Sequence, residues 1–327
     1  MSELGIHKRW SCKFLLKEIS YRVPEHAKLS SEQLAAYLAS DARNEDKIRI
    51  YADGDPDSHL SDAVFSMCTH GRLLMRRAQH TVYTHDNPDQ SEVLLAAWHD
   101  VLRLLIHLGR GAALRETAPC WGSSIREVAE TLACAYALGW NAAADKIAEC
   151  AVDVMPQGAL WMADDWDPRW EKRREPFARF TLALYADFAG ITLPAMPPHP
   201  YESPVYDALL ACWRNPDAQA LVEPLLAACD WHTHECMYSR SDRPSKNVDF
   251  INDTLMGWPV EVHMVYRLRE RLGLALPTEL DHPLMKAPLG PYLPPQPVPR
   301  DERLDKVIQR ACAEVPGLRE VLGQAIV

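Results

Sequence analysis

Apolar residues recur along most of this chain at intervals of three and four, and the runs are punctuated by capping residues, glycines and prolines. That spacing is the period of a helix face, and it leaves little room for a sheet, whose half-buried strands alternate at two. Segments rich in Val, Ile and Thr with such alternation are confined to the short opening stretch 14–23. The expected fold class is therefore all-α: a multi-helix bundle of antiparallel helical hairpins, or two packed helical subdomains.

The end signals place the helices. Ser30 with Gln33 forms a capping box opening a helix to about residue 51, with Leu34, Tyr37 and Leu38 on one face. The turn Asp53-Gly54-Asp55-Pro56-Asp57 stops it, and a second helix over 58–80 carries Leu60, Val64, Met67, Cys68, Leu74 and Met75. Asp89 with Glu92 caps a third, whose stripe is Val93, Ala97, Val101, Leu104, Leu105 and Leu108. Ser124 with Glu127 caps a fourth that Gly139 ends, and a fifth spans 141–155 before Pro156. Further helices are expected over 176–190, 204–214, 216–236, 258–272, 301–314 and 317–325, with Ser203-Pro204 and Asn215-Pro216 each placing a cap before proline.

Two proline-rich stretches, 193–200 and 288–299, interrupt this pattern, because proline removes a backbone donor and favours an extended path. They divide the chain into an N-terminal helical domain (1–192), a C-terminal helical domain (201–286) and a proline-rich segment with terminal helices (287–327).

The formal net charge of -10 argues against direct binding of nucleic acid, which requires clustered Lys and Arg, and suits either a basic protein partner or simple solubility. The nine cysteines are scattered through apolar runs without a C-x-x-C pair, a pattern expected of a reducing cytoplasm. An apolar leader is not visible at the N-terminus, and the longest apolar run, 94–108, is broken by His99, Asp100, Arg103 and His107, so no membrane role is expected.

Chemistry-bearing residues concentrate in three places. His232, His234, Glu235 and Cys236, with Glu261 and His263 downstream, would be the ligands of a metal-dependent hydrolase. On a helix, however, residues two apart point about 200° from one another, so His232 and His234 read instead as a polar helix end; no metal or cofactor is expected, and no catalytic residue. The segment Trp161-Met162-Ala163-Asp164-Asp165-Trp166-Asp167-Pro168-Arg169-Trp170 reads either as a recognition surface for a basic partner or as a loop pinned to the bundle by its tryptophans. The acidic turn with Asp53, Asp55 and Asp57 reads as a second partner-binding candidate or as turn and capping chemistry.

Met256-Gly257-Trp258-Pro259-Val260-Glu261-Val262-His263 resembles the Gly-aromatic-x-x-Glu helix opening of PoNi-type immunity proteins, the cognate inhibitors of PoNe DNase toxins. Leu272-Gly273-Leu274 and Leu280-Asp281-His282-Pro283 look like that family's leucine-glycine turn and Asp-His-Pro segment, while Val260 stands where the family has an aromatic. The specific similarity covers the C-terminal third; the earlier helices match only as a helical pattern after the Tyr51-Ala52-Asp53-Gly54 turn. The resemblance implies an all-helical, cytoplasmic antitoxin that neutralises a nuclease delivered by type VI secretion or another contact-dependent system. It implies a structural role for Gly257, Trp258, Glu261, Asp281, His282 and Pro283, with Trp258 filling the core and Glu261 accepting hydrogen bonds from a helix end. The alternatives from other classes are the hydrolase and an acidic helical scaffold or regulator.

Overall fold

The computed structural model describes residues 7–22, 31–84, 90–115, 124–157, 160, 175–196, 203–236, 248–250, 252–323 and 326. Among the described residues the chain is all-α, with twelve α-helices and an isolated parallel bridge, Cys236 with Phe250, in place of any sheet. Residues Ser30, Asp89, Trp161, Asp164, Asp165, Trp166, Asp167 and Trp170 lie outside the described residues. The eight described cysteines are all free thiols.

The helices gather into two compact units that interleave along the sequence. Unit 1 is drawn from Met1–Arg22, Ser124–Gly139 and Trp161–Gln296, and unit 2 from Val23–Ser123, Trp140–Leu160 and Pro297–Val327.

Unit 2 contains α2 (Ser31–Ala52), α3 (Leu60–Thr84), α4 (Ser91–Leu114), α6 (Asn141–Val154), α11 (Glu302–Glu314) and α12 (Leu318–Leu322). At its centre lies α4, packed on α3, α6, α11 and α12. Every position of the stripe from Val93 to Leu108 named above is buried, as the helical period requires. Gly109 continues that face: a Cβ there would lie 2.8 Å from Leu318 Cδ1, so any larger residue would make the α12 leucines shift. The face of α2 differs from expectation. Leu38 is half exposed, and the buried row is Asp41, Asn44, Ile48 and Tyr51, two of them polar. Asp41 is accommodated because His70 of α3 places Nδ1 2.5 Å from its carboxylate.

Unit 1 contains α1 (Cys12–Arg22), α5 (Ile125–Ala137), α7 (Pro176–Ala189), α8 (Pro204–Cys212), α9 (Val222–His234) and α10 (Val260–Arg271). The opening segment that reads as a strand is helix α1. Ser11 Oγ accepts from Phe14 N at its first turn, and Leu15 and Ile19, four apart, are both fully buried, with the helix packed on the 3-10 turn Pro283–Lys286. The Ser124 cap expected at the start of α5 forms, with Oγ accepting from Glu127 N at 3.2 Å. The expected helix 216–236 starts late, as a 3-10 turn Ala218–Leu221 leading into α9, because Asn215 Oδ1 takes Asp217 N into a local turn instead.

Long-range polar contacts hold these elements in place. Arg267 of α10 donates to the carbonyls of Tyr136 and Leu293, and Arg269 donates to those of Asn215, Ala275 and Trp213. Gln296 N bonds Leu138 O at 2.8 Å, which fixes the second proline-rich stretch against the end of α5. There Gly139 takes φ +77°, and a Cβ would stand 2.6 Å from Pro295 Cα. None of the described helices is long and apolar enough to cross a membrane.

Candidate functional site

The His, Asp and Glu side chains of unit 1 converge around α9 and the start of α10. The helical period sends His232 and His234 to different surroundings, as expected for residues two apart. His232 points inward, its Nδ1 2.8 Å from Glu261 Oε1 and its Nε2 2.8 Å from Leu255 O. Leu255 O can only accept, so Nε2 carries a proton; where Glu261 faces it as a carboxylate, Nδ1 carries one too and the pair is an imidazolium with a carboxylate, each with no exposed surface. Burial pulls the ring's pKa down, but the Glu261 charge and the Leu255 carbonyl outweigh it and hold it above the ordinary histidine value. Glu261 therefore accepts from a histidine ring rather than from a helix end as the resemblance implied. Trp258, one turn before it, is buried in the core.

Two further buried carboxylates lie beside this pair. Asp249 accepts from Phe177 N at 3.0 Å and from Trp231 Nε1 at 2.9 Å, so it caps α7 from 72 residues away and orients the Trp231 indole. Burial pushes its pKa up to about 7 despite those donors. Asp230 accepts from His282 Nε2 at 2.9 Å and from Arg9 Nη2 at 3.1 Å. Burial would raise its pKa, but these two partners hold the carboxyl below the usual range. His282 also accepts from Leu284 N through Nδ1, which sets its tautomer and caps the 3-10 turn that Pro283 opens. Asp281, next to it, is exposed and pairs with Lys286.

The other residues of the hydrolase reading point elsewhere. His263 donates Nε2 to Gly290 O and is buried, which lowers its pKa to about 4. His234 turns away from His232 to stack on the His7 ring, with centroids 4.5 Å apart. Cys236 packs at the bridge to Phe250. The residues that would ligate a metal are thus engaged in separate internal contacts. The sequence reading missed Asp230, Asp249, His7 and Arg9. The signal for Asp230 was present as an acid inside the apolar run Leu225-Leu226-Ala227-Ala228-Cys229-Asp230-Trp231, where a carboxylate demands a partner.

The acidic turn lies in unit 2, and its backbone is held from α11. Arg310 donates Nη1 to Tyr51 O (2.7 Å) and Ser58 Oγ (3.0 Å), and Nη2 to Asp55 O (3.0 Å) and Ser58 O (3.3 Å). Its guanidinium sits 4.2 Å above the Tyr51 ring, and the Tyr51 hydroxyl donates to Glu314 at 2.7 Å. Asp55 Oδ1 accepts from Asp57 N, the local turn chemistry expected of aspartate. Asp53, Asp55 and Asp57 are all exposed, and so are Asp62 and Phe65 on the first turns of α3. At 68% exposed, Phe65 is the most exposed large apolar side chain described.

The fold and these contacts define an all-α protein of two helical units with a buried ionic cluster in one and a clamped acidic turn on the other. No family model matches the chain, and no curated protein and no solved structure matches it.

Proposed function

We propose that the chain is an immunity protein that acts in the cytoplasm, neutralising a secreted bacterial DNase by direct one-to-one binding. The observation that carries this reading is the acidic turn. Asp53, Asp55 and Asp57 are presented to solvent on a backbone fixed by Arg310, so the charges need little ordering when a partner arrives. A DNA-cleaving domain must display a basic surface to hold phosphate, and an acidic inhibitor of net charge -10 competes for that surface without doing chemistry. Phe65, exposed in the second turn of α3, supplies the aromatic contact that tight complexes need in addition to charge. The resemblance of residues 256–263 and 280–283 to PoNi-type proteins points to the same class and to type VI or other contact-dependent delivery. The Trp161, Asp164, Asp165, Trp166, Asp167 and Trp170 segment is the second candidate contact for the same partner.

The test is co-expression with the nuclease encoded beside its gene. Protection of the cells and a one-to-one complex on size-exclusion chromatography are expected, and joint replacement of Asp53, Asp55 and Asp57 by Asn should slow association about threefold or more at low salt. Cell death at the rate of the nuclease alone, with no complex, overturns the proposal. A stable complex with a basic protein that is not a nuclease favours the scaffold reading.

A further inference from the structure

Residues 7–10 lie ahead of α1, outside regular secondary structure, and rest on the end of α9. Three side chains make the contact. Arg9 lays its guanidinium edge on Asp230, with Nη2 at 3.1 Å and Nε at 3.3 Å from Oδ2. The His7 ring stacks on that of His234, nearly parallel at 3°, with Nε2 3.2 Å from Glu235. Trp10 tilts against His234 at 4.8 Å.

What these side chains cover is more deeply built than they are. Asp230 and Glu235 are about nine-tenths buried, while the Arg9 side chain remains 40% exposed. Asp230 is oriented by His282, which leaves the edge that Arg9 fills, and a planar guanidinium matches that edge where an ammonium would not. The helix behind the segment is separately anchored, since Leu15 and Ile19 are fully buried. Residues 7–10 can therefore leave the α9 end while α1 stays in place.

We propose that the end of α9, formed by Asp230, His234 and Glu235, is a docking site for an arginine-bearing segment of a partner protein, held in the free protein by the chain's own residues 7–10. This deepens the proposed function, on which it rests for the partner's basic character. A nine-tenths buried Asp230 left with His282 alone is costly, so the site passes from one cation to another rather than standing open. The cis segment, tethered at roughly millimolar effective concentration, excludes weak basic peptides and yields only to a partner that makes further contacts of its own.

The experiment uses the full chain and a fluorescent peptide of residues 5–14 with serine at the Cys12 position, read by anisotropy. Against the wild-type chain the peptide should bind weakly. Against Arg9→Glu, whose own segment is repelled by Asp230, it should bind at least about tenfold more tightly, and the gain should vanish in Arg9→Glu/Asp230→Asn. A peptide with Ala in place of its arginine should lose binding to every variant. Equal affinity for wild type and Arg9→Glu, or for the two peptides, overturns the proposal. Arg9→Ala combined with His7→Ala gives the same comparison without an introduced charge, should Arg9→Glu not fold. Failed peptide exchange with intact nuclease binding sinks this inference alone; loss of nuclease binding with intact exchange sinks the proposed function alone.

Discussion

In unit 1, Asp230, Asp249 and Glu261 lie inside and each meets donors from rings, amides or a guanidinium, whereas in unit 2 Asp53, Asp55 and Asp57 stand in solvent on a turn whose backbone is what is held. Unit 2 is not free of buried charge, since Asp41 and His70 meet between α2 and α3. The difference lies in what a substitution removes. Inside unit 1 a carboxylate is half of a desolvated pair, so its loss strands a partner; on the turn, the clamp bonds main-chain carbonyls, and the exposed carboxylates make only local contacts, Asp53 with Arg49 and Asp55 with the Asp57 amide.

The strongest challenge to that contrast is Glu261→Ala, which leaves the His232 imidazolium buried without its counter-charge. A loss of about 3–5 kcal/mol in urea unfolding is expected, and a loss under about 1 kcal/mol would mean that His232 is neutral in the fold. Next comes Asp249→Ala, which orphans Phe177 N and Trp231 Nε1 and should cost about 2–3 kcal/mol.

Asp249 also predicts a pH dependence. Its carboxyl pKa rises from 3.8 to about 7 in the fold, so its contribution is complete below about 4 and is lost as pH rises through 7. His232, also raised, adds to the same decline above 6.5, whereas His263, lowered to about 4, contributes above 6.5 and is lost as pH falls through 4. Over about pH 4–7 the fall from Asp249 is therefore offset by the rise from His263, and Asp249→Asn should make stability climb more steeply with pH across that window; an unchanged slope would place the titration elsewhere.

Smaller effects sharpen the comparison further. Gly139→Ala combines a positive φ with contact on Pro295 and should cost about 1–3 kcal/mol, read by thermal melting. Arg310→Ala should cost about 1–2 kcal/mol and speed amide exchange over residues 53–58 without touching unit 1. The triple change of Asp53, Asp55 and Asp57 to Asn should leave stability within about 0.5 kcal/mol. A loss approaching that of Glu261→Ala would show that the turn carboxylates hold the fold, and the contrast would fail.

The apolar part of this structure was legible in sequence, and the polar part was legible only where its partners are local. The α4 stripe could be read because burial there follows the helical period alone. The face of α2 was misread because its buried row contains Asp41 and Asn44, whose place inside depends on His70 of another helix and on the Ser40 carbonyl. The opening segment looked like a strand because tertiary burial of Leu15 and Ile19, not local propensity, decides it. The separation of His232 from His234 followed from helix geometry, but the identity of His232's partner, 29 residues away, did not. Asp249 was further out of reach, since the amide it caps is 72 residues distant.

The clamp on the acidic turn has a consequence for how sequences of this kind can diversify. Arg310 reads the carbonyls of Tyr51, Asp55 and Ser58 and the Ser58 hydroxyl, and is blind to the side chains at 53 and 57. Gly54, at φ +86°, is the position where the path itself restricts the residue. A library randomised at 53, 56 and 57 should therefore yield folded members of one loop shape and many charge patterns, so that new binding preferences can be selected without rebuilding the scaffold.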